Sequence, residues 1–162
     1  MKKGVMSVLT MIAGVVTGVA ASAATVGKKQ SLTIKRKQQF ADKHLAIMKV
    51  YSQWLSAKQD GKSLTQYFEK NGYHDIAIYG MSYLGESLVK ELQDSGINIK
   101  YGIDKNAENL YSSVEILNVN DDLPEVDAIV VTAVFFFDEI EEELEELVDY
   151  PIISLEDVIY EV

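Results

Sequence analysis

The chain predicts an α/β domain, an open parallel sheet of about five strands with helices on both faces, preceded by a transmembrane helix and an amphipathic helical stalk. Three observations carry this. Short β-branched runs alternate with helical patterns from residue 73 onward, 24 residues without a charge stand near the N-terminus, and an amphipathic stretch lies between the two. The 162 residues then divide into an anchor over 1–29, a stalk over 30–72 and the α/β domain over 73–162.

The uncharged run extends from Gly4 to Gly27. As a helix rising ~1.5 Å per residue it covers the roughly 30 Å of a bilayer core. The same leader also reads as a signal peptide, with Lys2 and Lys3 as n-region, Val5 to Ala20 as h-region and Ala21-Ser22-Ala23 as the cleavage site. Charge favours the uncleaved anchor. Lys28, Lys29, Lys35, Arg36 and Lys37 follow the run and only Lys2 and Lys3 precede it, so the positive-inside bias places a single-pass protein with its C-terminal body in the cytoplasm. Gly14 and Gly18 form a G-x-x-x-G, extended by Thr10 and Ser22, which lets two such helices approach closely in a homodimer or marks only a weakly hydrophobic leader.

The net charge of −10 is divided unevenly along the chain. The first 41 residues hold seven basic groups and no acid, which leaves eight basic against twenty-five acidic in the remainder, a net −17. A field of that sign repels nucleic acid over most of the surface and confines membrane attraction to the leader. There is no Cys, which excludes disulfides, thiolate nucleophiles and Cys-based zinc, and two His give little basis for another metal site.

Between Gln38 and Asp60, Phe40, Leu45, Ile47, Met48, Tyr51, Trp54 and Leu55 approximate one helical face, which Gly61 ends. Ser63 with Gln66 reads as a capping box for a short second helix carrying Leu64, Tyr67 and Phe68, terminated by Gly72. The stripe packs on the following domain or on its own copy.

Asp75 to Gly80 predicts the first strand, and a helix follows over Tyr83 to Leu92. Ile97 to Ile103 predicts the second strand and Val114 to Leu117 a short third. Asp127 to Val134 is a β-branched run of the kind buried on both faces of a parallel sheet. Phe137 to Val148 reads as an acidic amphipathic helix with Ile140, Leu144 and Leu147 inward, followed by a strand over Pro151 to Ser154 and a helical turn or two over Leu155 to Tyr160. Right-handed crossovers turn this alternation into an open parallel sheet.

The first strand-to-helix turn carries the candidate function. Gly80, Met81, Ser82, Tyr83, Leu84 and Gly85 lie at the N-terminus of a helix, where unpaired N–H groups and a partial positive charge favour an anion. In the dinucleotide fingerprint G-x-G-x-x-G the middle glycine lets a pyrophosphate approach, and here Ser82 stands in its place. A mononucleotide, a nucleotide sugar or NAD(P) all remain open. Asp104 at the end of the second strand is placed for a ribose diol, and Lys105 for a 2′-phosphate. Ser82 is no hydrolase nucleophile, because the elbow requires Gly where Leu84 stands. His74 precedes the strand, at the far end of the sheet from the turn. No self-contained catalytic constellation is legible.

The segments DIAIYGMSYLGESLVKEL, YGIDKN, DLPEVDAIVVTAVFF and PIISLEDVIYEV resemble Rossmann-like modules of bacterial cell-surface polysaccharide biosynthesis proteins, described as nucleotide-sugar- or NAD-binding. The likeness runs from Trp54 to the C-terminus and is similar above all to small membrane-anchored proteins of low-GC Gram-positive bacteria. That resemblance implies an accessory or sensory module that binds a nucleotide or nucleotide sugar, for which the turn at residues 80–85 with Asp104 and Lys105 is the candidate site. It supplies no catalytic residue and no metal. The other expectations are a scaffold that docks a polysaccharide-assembly enzyme, and an NAD(P)-dependent oxidoreductase or epimerase completed by a partner subunit.

Overall fold

The structure, a computed structural model, describes the backbone of residues 2–162 and the side chains of residues 30–162. The chain divides into two units, residues 1–44 and residues 45–162. The first consists of helix α1 (Lys2–Gln59), whose remainder opens the second. The apolar run over 4–27 and its G-x-x-x-G lie outside the residues with described side chains. Among the described residues no helix is long and apolar enough to cross a membrane.

The second unit is α/β. Helix α2 (Thr65–Asn71) leads to strand β1 (Asp75–Tyr79), helix α3 (Tyr83–Leu92), and strands β2 (Asn98–Ile103), β3 (Ile116–Leu117) and β4 (Ala128–Val131). Helix α4 (Phe137–Glu145), strand β5 (Ile152–Ser154) and helix α5 (Leu155–Tyr160) complete it. The five strands are parallel throughout, in the order β3-β2-β1-β4-β5. β1 is central because its run of small and branched side chains tolerates cover on both faces.

Alternation along β1 sends Ile76 and Ile78 into one core layer and Ala77 and Tyr79 into the other. The first layer is closed by the end of α1, by α2, α3 and α5, and the second by Ile140 and Leu144 of α4 with Val119 and Val126 of the irregular β3–β4 connection. Burying a side chain such as Phe68 or Leu144, both fully enclosed, contributes about 1.5–3 kcal/mol.

Several elements differ from the sequence pattern, each for a tertiary reason. The face of α1 that meets the core is formed by Ile47, Val50, Tyr51, Trp54 and Ala57, whereas Phe40, Leu45, Met48 and Leu55 are exposed. Leu147 likewise faces outward, because α4 ends at Glu145. Ser63 forms no capping box with Gln66. Its hydroxyl accepts from the Thr65 amide at 3.3 Å, and the Leu64 amide donates to the Glu91 carboxylate of α3 at 3.4 Å. Gly61 and Gly72 do end their helices, at φ of 76° and 73°. β2, β3, β4 and β5 are each shorter than their apolar runs, because pairing stops where a neighbour runs out.

The amino ends of β1 and β4 are tied by Asp127, whose carboxylate accepts the His74 amide at 2.7 Å and the Asp75 amide at 2.8 Å. These two bonds hold its pKa below the ordinary value. A depressed folded pKa contributes stability that is present above the unfolded value of about 3.9 and lost as pH falls through the lower folded one. Asp127→Asn is therefore expected to lower the melting temperature at pH 7. The gap from wild type should close as acid is added below about pH 4, as read by circular dichroism melts across that range.

Candidate functional site

The order of the strands places a switch point between β1 and β4. From β1 the chain proceeds through α3 on one face to β2, and from β4 through α4 on the other face to β5. The loops diverge there at the carboxyl ends of the strands, the usual ligand position in open parallel sheets. Gly80–Gly85 and Thr132–Phe136 flank it, with Asp104 following the adjacent strand β2.

Gly80 turns the chain out of β1 at a φ of 96°, a region where side chains are strained. Its amide donates to the Ile103 carbonyl at 2.8 Å, continuing the ladder by one residue, and its carbonyl accepts the Thr132 hydroxyl at 2.5 Å. A Cβ at Gly80 would lie 2.9 Å from that hydroxyl and 3.2 Å from the Ala133 nitrogen. Gly85, one turn into the approach, is pressed against the Gly80 carbonyl so closely that a Cβ would collide with the oxygen. Gly80 thus makes the turn out of β1, and Gly85 permits the close approach of helix and strand.

Between them, Met81 points inward, with 2 % of its surface exposed, and Leu84 is equally buried. Met81 lies across Gly102 of β2, where a Cβ would meet its Cγ at 2.7 Å. Ser82 and Tyr83 face solvent, and the Ser82 hydroxyl makes no capping bond to α3. The first amide of α3 with a partner is Glu86, on the Ser82 carbonyl at 2.9 Å. Among the described residues, the amides of Ser82, Tyr83, Leu84 and Gly85 make no hydrogen bond of good geometry, and the turn over residues 81–82 closes only loosely on the Gly80 carbonyl.

Asp104 does reach the turn. One carboxylate oxygen accepts the Met81 amide at 2.9 Å and the other accepts the Asn106 amide at 2.9 Å. The protein's own anion thus occupies the entry amide of the turn and leaves the next four open. Lys105 is placed differently from the 2′-phosphate role, since its ammonium is paired with Glu143 of α4 at 2.8 Å. The hydrogen bond to Glu143 raises its pKa, so it stays charged. Beside this pair lies the buried Tyr79 hydroxyl, which among the described residues makes no hydrogen bond of good geometry but is close enough to the Lys105 ammonium to interact with it. Burial raises its pKa against the opposing pull of the Lys105 ammonium, so the phenol remains protonated and is not poised as a base.

His74 lies at the amino end of β1, its carbonyl accepting the Asn98 amide at 2.7 Å, so no Ser–His pair forms with Ser82. Thr132, Phe135 and Phe136 were not singled out by sequence reasoning. The two phenylalanines are 37 % and 41 % exposed, edge to face at a centroid separation of 5.0 Å, on the loop that follows β4. Their signal was the break from Val and Ala into three successive aromatics. No family model, curated protein or solved structure matches the chain.

Gly85→Ala is expected to destabilise the fold by about 1–3 kcal/mol through overpacking against backbone. Ser82→Ala should stay within about 0.5 kcal/mol of wild type. Urea titration followed by Trp54 fluorescence separates the two.

Proposed function

We propose that the α/β unit binds the ribose-phosphate portion of a nucleotide or nucleotide sugar at the carboxyl ends of β1 and β4. The observation that carries the reading is the row of amides from Ser82 to Gly85 without a hydrogen bond of good geometry, at a glycine turn beside a carboxylate that ends β2. Phosphate oxygens gain hydrogen bonds and helix-dipole stabilisation there. Asp104 keeps spare lone pairs on both oxygens, which suit ribose hydroxyls and repel a phosphate. With Lys105 engaged by Glu143, a free diol is favoured over a 2′-phosphate, so NAD or a nucleotide sugar fits better than NADP.

Membrane anchoring through residues 4–27, a cytoplasmic body and an accessory or sensory role in cell-surface polysaccharide metabolism belong to the same proposal. They are supported by the basic residues that flank the leader and by the resemblance of the body. The unpartnered apolar side chains of α1, with Met48 at 62 % and Leu55 at 59 % exposed, favour a second reading in which the protein docks a partner enzyme as a scaffold. The Tyr79–Lys105 proximity offers little to an oxidoreductase reading, because that hydroxyl is enclosed.

Thermal shift against ADP, UDP-glucose, NADH and NADPH tests the proposal. A ligand at one hundred times its Kd stabilises by about 2.7 kcal/mol, a rise of roughly 5–20 °C for domains of this size class. NADPH should shift least, and Asp104→Ala should weaken the ribose-bearing ligands. Gly80→Val should abolish every shift. An unchanged melting temperature with all four ligands removes the binding proposal and leaves the scaffold.

A further inference from the structure

Tyr51 connects α1 to the beginning of α3. Its hydroxyl lies 2.8 Å from the Tyr83 carbonyl oxygen and 2.9 Å from the Ser87 hydroxyl, which itself donates to the Tyr83 carbonyl at 2.8 Å. Two hydroxyl protons serve these three oxygen pairs. Whether Tyr51 donates directly or through Ser87, the chain of bonds ends on the same carbonyl.

That carbonyl shares a planar peptide group with the Leu84 amide, one of the four N–H groups of the turn without a hydrogen bond of good geometry. Fixing the C=O therefore fixes the direction of the N–H. Added donors on the carbonyl also polarise the amide, by about 10–30 % per bond. A second attachment lies seven residues further along α1, where the Lys58 ammonium meets the Glu91 carboxylate at 2.9 Å. Glu91 has a side chain only 10 % exposed and also takes the Ser63 hydroxyl at 3.3 Å. Trp54, 6 % exposed, lies between the two attachments with its ring nearly parallel to that of Tyr51. The last turns of α1 thus grip α3 at its first turn and again at its last.

We propose that Tyr51 is a positioning residue for the β1–α3 turn, and that through its hydroxyl α1 sets how firmly the amides of residues 82–85 are presented. The first turn of a helix is where fraying begins, since its amides lack intrahelical partners. Tyr51 opposes fraying from outside the helix. Displacement of α1 from α3 withdraws the hydroxyl and loosens the turn. By reciprocity, an event that stiffens the turn strengthens the hold on α1. The inference rests on the α1–α3 contacts and holds whether or not a ligand occupies the turn.

Amide hydrogen exchange and proton chemical shifts, measured by NMR on the ligand-free full chain, test it. In Tyr51→Phe the ring still stacks on Trp54, so only the hydroxyl is lost. The amides of Glu86 to Leu88 should exchange about fivefold faster, the local effect of one lost hydrogen bond. Those of Ile129 to Val131 should change by less than about twofold, and the Leu84 amide proton should move upfield. Ser87→Ala, which leaves the Tyr51 ring and its direct bond in place, should shift the Leu84 amide in the same direction by a smaller amount. It gives an independent reading should the phenylalanine variant fold poorly. A Leu84 amide unmoved in both variants, or equal acceleration of the α3 and β4 amides, overturns the proposal. Because no ligand is present, either outcome is independent of the nucleotide-binding test.

Discussion

The contact between the Gly80 carbonyl and the Cα of Gly85 is the constraint on which the rest of the second unit depends. It brings α3 onto β1 at a distance that no side chain at Gly85 allows, while at Gly80 a Cβ would meet Thr132 and Ala133 at the end of β4. The same carbonyl accepts the Thr132 hydroxyl and so joins the ends of β1 and β4, while the Gly80 amide holds the end of β2 through Ile103. Three strands and a helix therefore meet at one peptide. The open amides of α3 and the position of Asp104 follow from that meeting.

What was legible in the sequence was local. Gly80 and Gly85 bracket a turn because backbone conformation and close approach demand glycine, and these demands appear within six residues. The run Ile76–Tyr79 of DIAIY could be assigned to a strand covered on both faces because a short apolar stretch bounded by turn residues has few other uses. α5 begins and ends where the pattern places it, with Ser154 accepting the Glu156 amide at its N-cap. α1 was harder to read because it carries more large apolar side chains than one face can hold. Packing selected Val50 and Ala57, which are small enough to let the helix approach, over Met48 and Leu55. The pairing of Lys105 with Glu143, the Glu91 cap on α2 and the bond from Tyr51 to Tyr83 join residues between 27 and 38 positions apart, and no local pattern announces them.

Charge shapes what this position can hold. Asp104 stands beside the turn and Glu86 in the first turn of α3, with one Glu86 oxygen buried and, among the described residues, unpartnered. The nearest ammonium, Lys105, is neutralised by α4. Attraction for an anion therefore comes from oriented amides over a few ångströms. The acidic body opposes it at longer range, within a screening length of about 8 Å at physiological salt. On the reading proposed above, such a site would select by shape and hydroxyl pattern more than by charge and would disfavour ligands with many phosphates.

The outer strands of the sheet are its shortest. β3 contributes two residues and β5 three, and each is followed within a residue or two by a turn or a helix. A border of that length exposes too little unpaired backbone to template another chain, so lateral sheet growth, the usual route from a parallel sheet to fibrils, is starved at both margins. Brevity at the rim performs the task that other proteins assign to charged or proline-capped edges. It leaves the central strand β1 free to be apolar from Ile76 to Tyr79.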